Sequence, residues 1–174
     1  HPFVADFYRR ADAYRALGFV ESRFIDQMRT DTRLSEAGYI ADSATYADLL
    51  DDLRTHEDPV LAQVITMQNH MPYHDWYKYN DFKASSTTGK PLKDDEKESI
   101  ETYQKGASLT DGATAGFLAE LDKLDKPVTV VFYGDHLPGI YSSASADDGN
   151  SLALHQTDYF IWSNKASGTQ GNKI

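Results

Sequence analysis

The segment VVFYGDHLPG, residues 130–139, places two metal-binding residue types directly after an apolar run that is typical of a buried strand. Asp135 offers an anionic oxygen and His136 a neutral ring nitrogen, a pair that suits a divalent cation. Gly134 lets the backbone come close to a ligand, and the strand before it supplies rigidity. The dipeptide alone leaves another interpretation open, in which Asp135 caps a turn and His136 is a surface histidine.

A third candidate, His70, follows the apolar run VLAQVITMQ, residues 60–68, which predicts a second buried strand. Ligands of open α/β sheets bind beyond the carboxyl ends of the strands. We therefore expect His70 to converge with Asp135 and His136 at one edge of the sheet. Aromatic residues in the long polar loop that follows, residues 69–95, can form a lip for a ligand or simply pack the loop.

Helices alternate with these apolar runs, which favours an α/β fold with a largely parallel sheet. The predicted helices span residues 6–17, 43–59 and 96–124, and the predicted strands span residues 60–68, 128–134 and 154–164. Gly18 is a natural stop for the first helix, and Asp42 or Ser43 can cap the second. The third helix is expected to break near Gly106 and Gly112.

The bulk composition excludes several classes of protein. The chain has 174 residues, of which 40% are hydrophobic, and a net charge of −10, so we expect a soluble globular domain that does not bind nucleic acid. Cysteine is absent, which excludes disulfides, thiolate nucleophiles and cysteine-type zinc sites. Because the chain starts at His1 without methionine and has no membrane-spanning run, we expect a soluble piece of a longer protein.

Three segments resemble, in their order and spacing, the lipoteichoic acid synthase-like phosphoglycerol transferases of the sulfatase and alkaline phosphatase superfamily. They are HPFVADFYRRADAYRALGF, VITMQNHMPY and VVFYGDHLPGIY. The resemblance implies an α/β sandwich around a mixed, mostly parallel sheet. It makes residues 1–164 the carboxyl-terminal part of the catalytic domain and residues 165–174 a polar tail. The amino-terminal strands of the sheet would then be missing, which leaves an edge exposed.

The same resemblance implies roles for the residues of the two later motifs. Asp135 and His136 of YGDH correspond to two of the metal ligands. His70 of NHMPY corresponds to the histidine that contacts the phosphate group, and it is the catalytic candidate. Mn²⁺ is the expected cation, with Mg²⁺ or Zn²⁺ as alternatives, and the isolated chain can lack the metal.

The first motif implies a set of substrate-binding residues. His1 and Arg10 resemble a histidine and an arginine that hold glycerol phosphate, and Tyr8 stands where the family often has a tryptophan wall. A one-residue shift in the alignment would exchange Arg10 with Arg9. His70 belongs to the same substrate-binding set.

Members of this family are bacterial enzymes, anchored in the cytoplasmic membrane by amino-terminal helices, with the catalytic domain outside the cell. They move glycerol phosphate from a phosphatidylglycerol-type lipid to a polyol or glycan acceptor through a phosphorylated threonine. That threonine and the remaining metal-binding acid correspond to positions before His1, so we expect the chain alone to be inactive. A sulfatase or phosphodiesterase of the same superfamily, or a non-catalytic binding module, remains an alternative at this point.

Overall fold

The computed structural model describes residues 1–36, 38–87, 89–145 and 148–169. Its α-helices and strands, in chain order, are α1 (Arg10–Ala16), α2 (Asp42–Thr55), α3 (Asp94–Leu121), β1 (Thr129–Tyr133), α4 (Ser142–Ser145) and β2 (Tyr159–Ser163). Short 3-10 turns cover Phe7–Arg9, Ile25–Gln27, Asp148–Asn150, Ala153–His155 and Lys165–Ser167. Within the described ranges, no helix combines the length and apolarity that crossing a bilayer requires.

The amino-terminal helix has a kink that was not predicted from the sequence. A 3-10 turn precedes α1, and Tyr8 and Arg9 adopt the left-handed conformation with φ of 54° and 52°. Such values are uncommon for residues other than glycine, and they mark a conformation that the surrounding structure has to hold. Gly18, with φ of 88°, ends the segment as predicted, because glycine adopts this conformation without steric cost.

Helices α2 and α3 pack side by side and form the framework of the described chain. The Tyr46 ring stacks on the Phe117 ring, with centroids 4.8 Å apart, and its hydroxyl shares a 3.3 Å hydrogen bond with the Thr114 hydroxyl. At the solvent side, the Arg54 guanidinium donates to the Glu120 carboxylate at 3.0 Å. The helical spacing of the apolar residues in α2 therefore predicted a real packing face.

The expected breaks in α3 are wrong, because the helix runs without interruption from Asp94 to Leu121. Glycine costs about 1 kcal/mol in a helix interior, a penalty that tertiary packing can offset. At Gly106 the reason is visible. A Cβ added there would overlap Asn69 Oδ1 and lie 3.1 Å from the Tyr77 hydroxyl oxygen, so the helix and the loop meet closely at this residue.

Two glycine substitutions in α3 should therefore have opposite effects. Gly106→Ala is expected to lower the free energy of unfolding by about 1–3 kcal/mol, because the new methyl group displaces Asn69. Gly112→Ala, whose Cβ would have no neighbour within 4 Å, should raise it by about 0.5–1 kcal/mol. Urea unfolding of both variants measures this difference. Equal changes in the free energy of unfolding would show that the close contact at Gly106 does not determine the effect of the substitution.

The sheet consists, in the described residues, of β1 and β2 paired antiparallel, with Thr129 opposite Ser163 and Tyr133 opposite Tyr159. The sequence favoured parallel neighbours. The described part of the connection between these strands forms short helical turns, and the chain enters β2 beside the end of β1. A connection of this kind permits antiparallel pairing. Residues 60–68 do not form the predicted strand, since in the described chain they pair with no neighbour.

The fully buried Asn164 joins this sheet to the end of α3. Its Nδ2 donates to the carbonyl oxygens of Leu121 at 3.1 Å and Lys126 at 2.9 Å. Its Oδ1 accepts from the Val128 backbone N–H at 3.0 Å. One side chain thus sets the position of β1 and β2 relative to α3. Of the predicted polar tail, residues 165–169 are described, beginning with the turn at Lys165, and the rest lies outside the described residues.

Candidate functional site

His70 lies half-buried in the loop before α3, with its ring orientation set by a backbone oxygen and two aromatic rings. Its Nδ1 lies 2.8 Å from the Met71 carbonyl oxygen. Because a carbonyl only accepts, Nδ1 carries the hydrogen, and Nε2 is left for a ligand. The rings of Phe7 and Tyr39 lie against the imidazole at centroid distances of 5.9 and 5.7 Å.

His1 and Arg10 each have a side-chain nitrogen buried without a hydrogen-bond partner among the described residues. The His1 Nδ1 lies 3.5 Å from the Ile65 carbonyl oxygen, and the His1 ring centroid lies 6.4 Å from that of Phe3. Arg10 donates through Nη1 to the Tyr14 hydroxyl at 3.2 Å. Its Nε and the Nε2 of His1 are buried and have no hydrogen-bond partner in the described part of the chain.

A run of aromatic contacts connects the first motif to His70. Phe7 is at its centre, with ring centroids 4.9 Å from Phe3, 4.4 Å from Tyr8 and 5.9 Å from His70. The Arg10 guanidinium carbon lies 5.9 Å from the centroid of the exposed Tyr8 ring. These contacts connect Tyr8, Arg10 and His70 through Phe7, and His1 adjoins the run through Phe3, with ring centroids 6.4 Å apart.

Arg9 has a different environment from its neighbour Arg10. Its side chain is 86% exposed and pairs with the Asp12 carboxylate at 3.2 Å. An exposed ion pair of this kind contributes little free energy and leaves the guanidinium in solvent. The buried, unpartnered Nε of Arg10 therefore favours Arg10 over Arg9 as the candidate for holding an anionic ligand.

Asp135 and His136 follow β1 directly, and both side chains are about three-quarters exposed. Asp135 Oδ1 accepts from the His136 backbone N–H at 3.0 Å, and His136 Nδ1 lies 2.9 Å from the Leu137 carbonyl oxygen. That contact keeps the hydrogen on Nδ1 and frees Nε2, the arrangement typical of metal-binding histidines.

The donor types fit a divalent cation, but the pair supplies only part of a ligand set. Among the described residues, no group of three or more histidine, aspartate or glutamate side chains could hold a metal ion together. Asp135 and His136 offer one anionic oxygen and one neutral nitrogen, whereas a divalent cation takes four or more ligands. The pair therefore fits as two ligands of a site that needs further donors.

The loop that carries Asp135 packs against the segment that follows His70. Ile140 forms a buried cluster with Tyr73, Trp76 and Tyr77. A Cβ added at Gly139 would lie 3.4 Å from the terminal carbon of Met71. Burial raises the pKa of Tyr73, and neighbouring tyrosines and the negative charge of Asp135 raise it further.

Several residues that shape this site were not predicted from the sequence. Tyr39, whose hydroxyl donates to the Met71 carbonyl oxygen at 3.0 Å, lies in a polar segment without a recognisable motif. Asp42 was considered only as a cap of α2, yet the cap position is Ala41 and the Asp42 carboxylate turns to Thr110. Of these three residues, Asn69 alone had a signal in the sequence, which is its position directly before His70 in the motif NHMPY.

A comparison with family models matches residues 1–173 to the family described as Sulfatase. The chain belongs to the sulfatase family. Among solved structures, this sulfatase-family chain is similar to the Streptococcus pyogenes phosphoglycerol transferase GacH in complex with sn-glycerol-1-phosphate. The two are 30% identical with a TM-score of 0.71, over 95% of this chain and 42% of that one. The expected α/β fold class and the resemblance to phosphoglycerol transferases are thereby confirmed.

Two curated relatives come from Rhizobium meliloti (strain 1021). One is named for cyclic beta-1,2-glucan modification and is 27% identical over 95% of this sulfatase-family chain. The other, the capsular polysaccharide biosynthesis protein RkpI, is 28% identical over 92% of it. The chain spans 27% and 26% of the lengths of these relatives.

Proposed function

We propose that these residues serve a metal-dependent phosphoglycerol transferase, with residues 1–164 forming the carboxyl-terminal part of its catalytic domain and residues 165–174 a tail. One observation carries the proposal: the Nε of Arg10 and the Nε2 of His1 are buried without a hydrogen-bond partner among the described residues, and ring contacts through Phe3, Phe7 and Tyr8 connect both side chains to His70. Buried polar atoms normally have partners, so this pair is suited to a polar ligand. The similarity to GacH, whose structure contains sn-glycerol-1-phosphate, indicates the class of ligand.

Arg10 binds the phosphate group in this proposal, because guanidinium N–H groups match phosphate oxygens in geometry and charge. His1 contributes its unpartnered ring nitrogen, and Tyr8 provides an exposed ring as a wall for the glycerol. The net charge of −10 does not oppose this, since a few convergent cations reverse the field locally.

His70 is the proposed catalytic residue. With Nδ1 held by the Met71 carbonyl oxygen, its Nε2 can accept a proton, and the imidazolium so formed can donate to a phosphate oxygen or return the proton to a departing oxygen. The flanking rings of Phe7 and Tyr39 restrict the imidazole to that orientation.

Asp135 and His136 are the proposed metal ligands, and Mn²⁺ is the proposed cation. A bound divalent cation would activate a hydroxyl nucleophile and stabilise negative charge on phosphoryl oxygens. The resemblance assigns that nucleophile to a threonine at a position before His1. We therefore also propose that the 174-residue chain does not catalyse transfer by itself, which a comparison with the complete gene product tests.

The proposed substrate is a phosphatidylglycerol-type lipid headgroup, and the proposed acceptor is a polyol or glycan hydroxyl. We place the reaction at the outer face of a bacterial cytoplasmic membrane, in a protein anchored by helices outside the present chain. The bacterial relatives named for glucan modification and capsular polysaccharide biosynthesis support a carbohydrate acceptor.

A pair of neighbouring arginines tests the phosphate site. In the complete gene product assayed with phosphatidylglycerol, Arg10→Gln should lower kcat/KM by about 100-fold, the scale at which one charge-stabilising donor acts. Arg9→Gln, which removes an exposed arginine of equal charge, should stay within about threefold of wild type. Turnover of an aryl sulfate or a simple phosphodiester in preference to the lipid would instead support the sulfatase or phosphodiesterase alternative.

A further inference from the structure

A buried carboxylate at the start of α2 connects three separate parts of the chain. Asp42 is 1% exposed, and its Oδ2 accepts from the Thr110 hydroxyl of α3 at 2.6 Å. Its backbone N–H donates to Gln68 Oε1 at 3.0 Å. Gln68 in turn donates through Nε2 to the Gly106 carbonyl oxygen at 3.3 Å. The network therefore joins α2, α3 and the loop that leads to His70.

The direction of the hydrogen bonds determines how Asn69 is oriented. Thr110 has one hydroxyl hydrogen, and it points to the Asp42 carboxylate, which only accepts. The Thr110 oxygen is therefore left to accept from Asn69 Nδ2, at 2.8 Å. On the opposite side of the amide, Oδ1 faces Gly106, where there is no room for a Cβ. The amide of Asn69 is thus held through Nδ2 by a hydrogen bond, whereas its buried Oδ1 has no hydrogen-bond partner among the described residues and is confined only by the close approach to Gly106.

The backbone around Asn69 is held as well. Its carbonyl oxygen accepts from the Tyr73 hydroxyl at 2.6 Å. The backbone N–H of the next residue, His70, donates to the Met67 carbonyl oxygen at 3.0 Å. Both the side chain and the backbone immediately before His70 therefore have one defined position.

We propose that Asp42 and Thr110 are positioning residues that, through Asn69, hold His70 in the orientation in which its Nε2 meets the phosphate group. The proposal rests on the proposed function of His70. A displacement of the order of 1 Å at a reacting group can cost about 100-fold in rate, so a remote buried network can control turnover.

Thr110→Val tests the proposal, because valine keeps the shape of threonine and removes the three hydrogen bonds of its hydroxyl, with Asp42, Asn69 and Gln68. In the complete gene product, kcat for phosphatidylglycerol should fall by about 10–100-fold, with Mn²⁺ affinity unchanged. Thr110→Ser, which keeps the hydroxyl, should restore kcat to within about threefold of wild type. The ¹⁵N signals of the His70 imidazole should shift in the valine variant and return in the serine variant.

Tyr46→Phe is the matched structural control. It removes another buried hydrogen bond between α2 and α3, the one to Thr114, and leaves Asn69 unchanged. If kcat and the His70 signals respond equally to Tyr46→Phe and Thr110→Val, the network only stabilises the fold and the proposal is overturned. Wild-type kcat in Thr110→Val overturns it too. If the valine variant fails to fold, Asp42→Ala, which removes the acceptor of the Thr110 hydroxyl, should give the same loss of kcat and the same ¹⁵N shift.

The two proposals fail in different ways. If the wild-type protein does not turn over phosphatidylglycerol but the His70 signals still shift in Thr110→Val and return in Thr110→Ser, the proposed function is wrong and the positioning role stands. If wild type turns over the lipid and the valine variant matches it, the positioning role is wrong and the proposed function stands.

Discussion

Asp135→Asn in the complete gene product is expected to weaken Mn²⁺ binding by at least about 100-fold and to reduce transfer in proportion. Changes to groups that merely support a metal ligand already cost about 10–100-fold in affinity, so loss of an anionic ligand should cost at least the upper value. Asparagine keeps the shape of the side chain and can still accept from the His136 backbone N–H. The loss would therefore come from the charge and not from the turn.

Calorimetric titration with Mn²⁺ and a lipid-headgroup assay measure this effect. Asp158→Asn is a suitable control, because Asp158 is an exposed carboxylate at the same end of the sheet, with its carbonyl oxygen 3.4 Å from the Gly134 backbone nitrogen. It makes the same change in net charge and should leave metal affinity within about threefold. If Asp135→Asn retains both affinity and turnover, the metal assignment is wrong.

Asn164→Ala is expected to lower the free energy of unfolding by about 3–5 kcal/mol. Each buried polar group that loses its partner costs about 1–3 kcal/mol, and here the carbonyl oxygens of Leu121 and Lys126 and the N–H of Val128 all lose one. The cavity left by the side chain adds to the loss. Asn164→Asp should also destabilise, because a carboxylate cannot donate to the two carbonyl oxygens.

Urea unfolding of the complete gene product provides the measurement for these variants. Asn80→Ala is the comparison, since Asn80 makes two hydrogen bonds of 3.0 Å, to Glu101 and Phe82, but is half-buried. Asn80→Ala should lower the free energy of unfolding by about 1 kcal/mol, because water can replace those partners. A cost of the same size at Asn164 would show that the carbonyl oxygens at the end of α3 find other partners when the amide is removed.

The sequence supplies candidates for the site residues, which stay predictions, but it does not supply their arrangement. The motifs around His1, His70 and Asp135 are local patterns of residue types, and such patterns can be recognised from the sequence alone. The contacts that orient His70 join positions far apart in the sequence, as in the hydrogen bonds of Thr110 with Asp42 and Asn69. Neither Thr110 nor Asp42 carries a local signal for such a role.

By itself, the sequence determined the helical segments, the end of the first helix at Gly18, the positions of β1 and β2 and the list of candidate site residues. These features depend on propensity, apolar spacing and motif order, which act locally along the chain. Only the tertiary structure decided that β1 and β2 pair antiparallel, that α3 continues through Gly106 and that Tyr8 and Arg9 adopt positive φ. The physical reason is common to all three. Strand pairing, the close contact with Asn69 and the left-handed backbone each depend on non-local contacts, whose free energy exceeds the local preference of the residues involved.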